Sequence, residues 1–154
     1  MIQMALAVRY YFIQRFAVSA QAAFDWCTDF ESKDYLLMGD TNAKRQVSHI
    51  TNDTIILSDF FPLSSSPIEK QKLVQLYPSK LSWTSTHLTG PNKYSQFLYK
   101  ITSQGKGFST LNFTGLNIEY DEKVNAEKLA ERLCREDADA WKLLAQAMEK
   151  DLKK

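Results

Sequence analysis

The stretch NAEKLAERLCREDADAWKLLAQAMEKDLK, residues 125–153, decides the fold, because it is the one long helical pattern in the chain. Its apolar side chains recur at three- and four-residue steps, which is the spacing of a single face of an amphipathic helix. At 1.5 Å per residue, this helix is roughly 40 Å long. We therefore expect it to lie against a surface of similar length. Its apolar face consists of Leu129, Leu133, Trp141, Leu144, Ala145, Met148 and Leu152.

The residues before this helix alternate between apolar and polar side chains, which predicts β-strands. In the first strand, Leu6, Val8 and Tyr10 share one parity, while Arg9 and Arg15 take the other. Six more strands follow at hairpin spacing, and the breaks between them carry glycine, proline, asparagine or aspartate. Strands joined so closely are antiparallel neighbours. The predicted strands are residues 4–18, 45–50, 54–61, 70–77, 80–89, 94–103 and 108–120.

Two short helices are predicted between the first and second strands. Ser19 is a suitable N-cap, and the good helix formers of residues 20–27 follow it. A second short helix is predicted over residues 31–38, with Gly39 ending it as a left-handed C′ residue. These helices would close one end of the sheet.

A sheet this wide twists and curls around its apolar face. The long helix covers part of the concave face, and the remainder forms an elongated cleft lined by strand side chains. Clefts of this kind, mostly apolar with a few polar groups, are the usual sites of small molecules. Parity assigns the candidate ligand-binding residues to the inner face: Trp83, Ser85 and His87 on the fifth strand, Phe97 and Tyr99 on the sixth, Phe113 on the seventh, and Trp141 on the last helix.

Each of these residues has a second interpretation. Trp83 and Phe97 form either the wall of a ligand site or ordinary core, and Trp141 also fits core packing against the sheet. His87 is either a polar anchor or general base, with Ser85 and Tyr99 as its polar partners, or a half-buried histidine with a satisfied hydrogen bond. The sequence does not decide which face of the second and third strands points inward.

Gly115 marks a change of phase in the seventh strand. Leu111 and Phe113 share one parity, whereas Leu116 and Ile118 share the other. A glycine at a phase change is typical of a β-bulge or kink. We therefore predict that the strand bends around the helix at this position.

Three short motifs accompany this order of elements. They are Val18-Ser19-Ala20 entering the first helix, Trp26-Cys27-Thr28-Asp29 at its end, and Ala140-Trp141-Lys142-Leu143-Leu144 in the last helix. Together with the element order, they make the chain resemble the START-like superfamily, also called SRPBCC, which includes pollen-allergen-type and polyketide cyclase-like proteins. The chain departs from many members in having Ala140 where they have glycine.

The resemblance covers nearly the whole chain and implies an α+β helix-grip fold. In this fold a seven-stranded curved antiparallel sheet wraps around the long C-terminal helix, with two short helices after the first strand. We expect one START-like ligand-binding domain over residues 1–154. The resemblance also implies a hydrophobic ligand held between sheet and helix.

Composition excludes several other classes of protein. Hydrophobic residues make up 44% and charged residues 24% of 154, which is ordinary globular usage. The formal net charge of +1 gives no global positive field, so we expect no nucleic-acid partner. Arg9 and Arg15 interrupt the apolar N-terminal residues, so we expect neither a signal peptide nor insertion into a membrane. Lys70, Lys72 and Lys80 are interpreted as lysines that block pairing at a sheet edge.

Metal and cofactor chemistry has little support in the sequence. Cys27 and Cys134 lie far apart, and neither has metal-ligand spacing with His49 or His87. They are interpreted as two small buried thiols in a reducing compartment, which predicts a cytoplasmic protein. The motifs of nucleotide binding and hydrolytic catalysis are absent, so no metal, cofactor or catalytic residue is predicted.

The sequence thus favours a non-enzymatic protein that carries or senses a small hydrophobic or amphipathic molecule. One alternative is a cyclase- or hydrolase-like enzyme acting on an aromatic or polyketide-like substrate, which would need a roomy polar cavity around a histidine with a perturbed pKa. The other is a co-chaperone-type interaction domain, which would have a filled core and an exposed apolar patch. The sequence leaves the ligand and the oligomeric state open.

Overall fold

The computed structural model describes residues 5–30, 42–62 and 68–153. Seven strands form one antiparallel sheet in the order β1-β7-β6-β5-β4-β3-β2. Strands β2 to β7 pair with their neighbours in chain order, while β1 pairs with β7 and lies at the opposite edge from β2. The strands are β1 Leu6–Phe16, β2 Lys44–His49, β3 Thr54–Phe61, β4 Ile68–Tyr77, β5 Ser82–His87, β6 Gln96–Ser103 and β7 Ser109–Glu119.

Among the described residues, two α-helices pack with this sheet, and both begin at a capping side chain. In α1, Ala20–Cys27, the hydroxyl of Ser19 accepts the backbone N–H of Ala22 at 3.3 Å. In α2, Ala126–Leu152, the side-chain oxygen of Asn125 accepts the backbone N–H of Lys128 at 3.0 Å. Each cap satisfies a donor that the first helical turn leaves unpaired.

The predicted α+β helix-grip fold is confirmed, with small shifts at the ends of its elements. The fifth strand begins at Ser82 because Pro78–Lys80 form a 3₁₀ turn and Leu81 adopts a left-handed conformation with φ 47°. The second predicted short helix, residues 31–38, lies outside the described residues. In α2 the apolar face buries Leu129, Ala145 and Met148, whereas Leu152 at its end is 43% exposed.

The core lies between the concave face of the sheet and the two helices. Ala23 and Phe24 of α1 meet Ala145 and Met148 of α2 in one buried cluster with strand residues. Side chains also tie the helices together, since the indole N–H of Trp26 donates to Asp151 Oδ2 at 3.0 Å. On the strands whose direction the sequence left open, Arg45 and Val47 of β2 and Ile55, Leu57 and Asp59 of β3 share the inner, more buried face.

The bulge predicted at Gly115 is wrong. Pairing with β1 and β6 continues without interruption through this residue, and Gly115 has no positive φ. Leu116 and Ile118 instead occupy the outer, half-buried face of a regular strand, while Asn117 takes the inner face. The glycine is needed for space, because a Cβ at this position would lie 2.6 Å from Cζ of Tyr10 on the neighbouring strand.

Neither α-helix combines the length and the apolar character required to cross a bilayer, as far as the described residues extend. The thiols of Cys27 and Cys134 are not joined in a disulfide, and both cysteines are half-buried rather than buried as predicted.

Candidate ligand-binding site

A cavity of about 380 Å³ lies between the inner face of the sheet and the helices α1 and α2. Its lining includes side chains from all seven strands and both helices. All seven residues proposed from the sequence lie on its wall: Trp83, Ser85, His87, Phe97, Tyr99, Phe113 and Trp141. Their contact with a ligand stays a prediction.

Aromatic rings form a continuous wall on one side of the cavity. Trp83 and Tyr99 are stacked with their centroids 4.8 Å apart and their planes within 3° of parallel. Tyr99 also meets Phe113 edge-on at 5.2 Å and Trp141 of α2 at 5.8 Å. Phe97 joins Phe113 to His87, at 5.9 Å and 5.0 Å. The register produces this wall, because β6 lies between β5 and β7 and pairs Tyr99 with both Trp83 and Phe113.

Trp83 is therefore both core and cavity wall, since it is 2% exposed, belongs to the buried cluster and borders the empty volume. Trp141 is half-buried and packs against that cluster, with its ring 6.4 Å from Phe16 of β1. The two interpretations that the sequence left open for these residues are compatible in the structure.

His87 is held by a chain of amides and not by the partners predicted for it. Its Nδ1 lies 3.2 Å from Oδ1 of Asn92, whose Nδ2 donates to Oδ1 of Asn117 at 3.4 Å. This arrangement makes Nδ1 the protonated nitrogen and leaves Nε2 as an acceptor. Burial lowers the pKa of His87 to about 4, and the nearby charge of Lys72 acts in the same direction. His87 is therefore a neutral imidazole at pH 7.

A buried charged cluster, which sequence reasoning missed, lies on the same inner face. Asp59 is fully buried, and its Oδ1 and Oδ2 accept Nε and Nη2 of Arg45 at 2.7 Å and 3.1 Å. Nζ of Lys72 lies 3.1 Å from the same Oδ2. Arg45 and Lys72 line the cavity together with Lys70.

The interpretation of Lys70 and Lys72 as edge lysines is wrong, because β4 is an interior strand between β3 and β5. A signal for the cluster was present in the sequence: Asp59 has the parity of Ile55 and Leu57, which are both buried. A charged residue on the apolar parity of a strand indicates a buried ion pair or a site.

A second polar group was also missed, on the side of the cavity formed by α2. The hydroxyl of Tyr10 donates to Oδ2 of Asp137 at 2.5 Å. Burial raises the pKa of Tyr10, and the hydrogen bond to Asp137 raises it further. Burial also raises the pKa of the Asp137 carboxyl and of the Tyr99 hydroxyl. The spacing of Leu133, Asp137 and Trp141 at four-residue steps was the available signal, because it places the aspartate on the apolar face.

The donors of the cavity do not form a metal site. In the part of the chain that the structure describes, no group of three or more histidine, cysteine, aspartate or glutamate residues is arranged to hold a metal ion. The arrangement instead offers flat apolar surface with hydrogen-bonding and charged groups at separate places, which suits an amphipathic organic molecule.

Comparisons with known proteins identify the fold. No protein-family profile and no curated protein matches the sequence. The Zhui aromatase/cyclase from Streptomyces sp. R1128 superposes with a TM-score of 0.73 at 10% identity, covering 96% of this chain and 94% of that one. Norcoclaurine synthase from Thalictrum flavum, in complex with dopamine and hydroxybenzaldehyde, gives 0.71 at 15% identity, over 96% and 87%.

A START superfamily protein from Mycobacterium smegmatis gives a TM-score of 0.63 at 14% identity, over 95% of this chain and 97% of that one. These similarities extend over almost all of both chains, although the sequences have diverged widely. The architecture resembles that of two proteins named as enzymes and of one named as a START superfamily protein. The chain therefore has the START-like, or SRPBCC, helix-grip fold.

Proposed function

We propose that residues 1–154 act as one domain that binds a small amphipathic molecule in the cavity between the sheet and α2. The observation that carries this proposal is the cavity itself, whose volume of about 380 Å³ falls within the usual range for small-molecule sites. Its wall combines stacked aromatic rings with a few polar groups, as binding sites for such molecules do. A structural neighbour is in complex with dopamine and hydroxybenzaldehyde, so this fold accommodates aromatic molecules.

We also propose that the protein is cytoplasmic. Two half-buried thiols that are not joined in a disulfide support a reducing compartment. The cavity also favours binding over the interaction-domain alternative, which requires a filled interior.

A cyclase- or hydrolase-like enzyme is the second candidate, and one observation favours it. The Asp137 carboxyl lines the cavity with its pKa raised by burial, and the Tyr10 hydroxyl is hydrogen-bonded to it. A carboxyl group and a hydroxyl in this relation can exchange protons with a bound substrate. Two structural neighbours are enzymes by name, an aromatase/cyclase and a synthase.

Binding of the neutral dye Nile red tests the proposed function. We expect a fluorescence titration to give a dissociation constant in the micromolar range, or roughly −8 kcal/mol. Ser85→Phe adds a ring to the cavity wall and should weaken binding about tenfold or more, with little loss of stability because the ring enters empty space. Thr84→Phe is the matched control, since it adds the same ring on the opposite face of β5.

Two results together would contradict the proposed function. A wild-type protein that does not bind the dye, together with a Ser85→Phe variant that loses several kcal/mol of stability, would show a filled interior. Native mass spectrometry of the freshly purified protein complements the titration, because a tightly held natural ligand would appear as a mass increment.

A further inference from the structure

His87 and Asn117 bring two polar side chains to the same end of the cavity. They are 8% and 5% exposed, and both line the empty volume. Ser95, directly before β6, connects them across the sheet. Its carbonyl accepts the backbone N–H of His87 at 2.9 Å, and its hydroxyl donates to Oδ1 of Asn117 at 3.5 Å. A few polar groups at one place in a mostly apolar cavity fix the orientation of a ligand.

A chain of hydrogen bonds determines which atoms of this pair remain free. The backbone N–H of Ile118 donates to Ser95 Oγ at 2.8 Å, so the hydroxyl directs its own hydrogen to Asn117 Oδ1. Asn92 Nδ2 donates to the same oxygen, and Asn92 Oδ1 accepts from Nδ1 of His87. The atoms left over are Nε2 of His87, which is an acceptor, and Nδ2 of Asn117, which is a donor.

Both free nitrogens open on the cavity. No described residue forms a hydrogen bond with Nε2 of His87 or with Nδ2 of Asn117. Throughout the described part of the chain, however, every fully buried side-chain nitrogen and oxygen has a partner. The two nitrogens are therefore not enclosed by the fold, and they face the empty volume that their residues line. A ligand that covered them without hydrogen bonds would leave two unsatisfied polar groups, which is unfavourable.

The neutral state of His87 selects a ligand that can donate a hydrogen bond. Burial and the charge of Lys72 lower the pKa of His87 to about 4, so Nε2 carries a lone pair at pH 7. Lys72 pairs with His87 in the β4–β5 ladder and would attract an anion, but a carboxylate beside His87 would set its own lone pairs against that of Nε2. A hydroxyl group, by contrast, can donate to Nε2 and accept from Asn117 through one oxygen.

The aromatic wall begins directly beside this polar pair. The His87 ring lies 5.0 Å from that of Phe97, and Trp83 lies four residues before His87 on the same face of β5. Trp83 is stacked on Tyr99, which continues the wall toward α2. A flat apolar molecule lying along these rings would therefore place a substituent at one end of its body beside His87 and Asn117.

From this arrangement we infer that the ligand is a neutral aromatic alcohol, whose hydroxyl donates to Nε2 of His87 and accepts from Nδ2 of Asn117. The inference rests on the proposed function and narrows it to one class of ligand. An ether or a ketone with the same aromatic body fits less well, because it would satisfy Asn117 and leave Nε2 without a partner.

The experiment compares 2-naphthol with 2-methoxynaphthalene, which lacks the donor hydrogen, by isothermal titration calorimetry at pH 7. We expect the wild-type protein to bind naphthol about tenfold more tightly, since the ether leaves a buried acceptor unpaired. His87→Phe keeps a flat ring but removes the acceptor, so the two affinities should then agree within about twofold. The methyl group of the ether is the same in both titrations, so the lost preference reports the hydrogen bond. His49→Phe, at an exposed position on β2, is the matched control and should keep the preference.

Two results would overturn the inference: equal affinities in the wild-type protein, or a preference that His87→Phe retains. Tighter binding of 2-naphthoate or 2-naphthamide than of 2-naphthol would also contradict it, because the cavity would then select a different polar group. Nile red separates these outcomes from failure of the proposed function. If the dye binds and naphthol has no advantage, the cavity binds ligands but does not select a hydroxyl. If neither naphthalene compound nor the dye binds, the proposed function is wrong, and the inference fails with it.

A measurement on the wild-type protein guards against a His87→Phe variant that fails to fold. Proton–nitrogen correlation NMR spectra of the histidine rings, with His49 as the internal reference, should show His87 protonated on Nδ1 and not on Nε2. Saturating 2-naphthol should shift the Nε2 resonance toward that of a protonated nitrogen, and 2-methoxynaphthalene should not. A proton on Nε2 in the free protein, or the same Nε2 resonance with both probes, would refute the inference.

Discussion

Gly115 and Tyr10 form a cross-strand pair in which the absence of one side chain makes room for the other. The Tyr10 ring lies over Gly115, and its hydroxyl reaches Asp137 on α2. The pair thus connects the sheet to the helix across the cavity. The strand is regular at this pair, where the sequence pattern indicated a bulge.

Gly115→Ala should destabilise the protein by about 1–3 kcal/mol, the usual cost of overpacking. The added Cβ would lie 2.6 Å from Cζ of Tyr10, so the ring must move and its hydrogen bond to Asp137 must change. Urea denaturation measures the loss. In a Tyr10→Ala background, where the obstructing ring is gone, the same substitution should be close to neutral. An equal loss in both backgrounds would mean that the ring does not cause it.

His87 should make the stability of the protein depend on pH. The pKa of His87 is about 4 in the folded protein and 6.5 in its ordinary state, so the unfolded chain binds more protons between these values. The free energy of unfolding therefore falls as the pH is lowered from 6.5 to 4, by on the order of 3 kcal/mol. His87→Gln should lose correspondingly less than the wild-type protein over this interval.

Chemical denaturation at a series of pH values measures the free energy of unfolding of each protein. The difference between the wild-type and His87→Gln profiles cancels the contributions of the other titrating groups. His49→Gln, at an exposed position on β2, is the control for the histidine-to-glutamine substitution itself. Parallel profiles for the wild-type protein and His87→Gln would contradict the burial of a neutral imidazole.

At the scale of elements, the position of an apolar residue around α2 determines how deeply it is buried. Met148 is fully buried against the core, whereas Leu143 on the same helix is 50% exposed. Met148→Ala should therefore cost about 2–5 kcal/mol in thermal or chemical unfolding. Leu143→Ala should change stability by no more than about 0.5 kcal/mol. Similar losses for the two variants would mean that the helix faces the sheet with a different side.

The positions of the strands and helices were predictable because apolar residues recur every two residues in strands and about every 3.6 residues in helices. The third strand matches its prediction at both ends, both α-helices were located, and Ser19 was identified as the N-cap of the first. The shorter fifth strand was not predictable, because it depends on the 3₁₀ turn at Pro78–Lys80 and the left-handed Leu81. A leucine with positive φ has no signature in a sequence, since tertiary contacts impose it against its own preference.

At the scale of the whole molecule, the aromatic wall was predictable, whereas the sequence signalled only the burial of Asp59 and not its partners in the charged cluster. Parity alone assigns Trp83, Tyr99 and Phe113 to one face, whatever the order of the strands. Arg45, Asp59 and Lys72 meet only because three different strands pair in a particular register, and no local pattern encodes that register. A site assembled across strands therefore appears only when the topology is known.

The position of β1 at the edge beside β7 has a consequence for the order in which the fold forms. During synthesis, β1 is made first, yet its pairing partner is the last strand of the sheet. The hairpins from β2 to β7 join near neighbours, so we expect each to form once its second strand has emerged, because short loops close at low entropic cost. Tyr10 of β1 and Trp141 of α2 both line the cavity, so we expect the cavity to close last. A nascent chain can therefore carry most of its sheet before it can enclose any ligand.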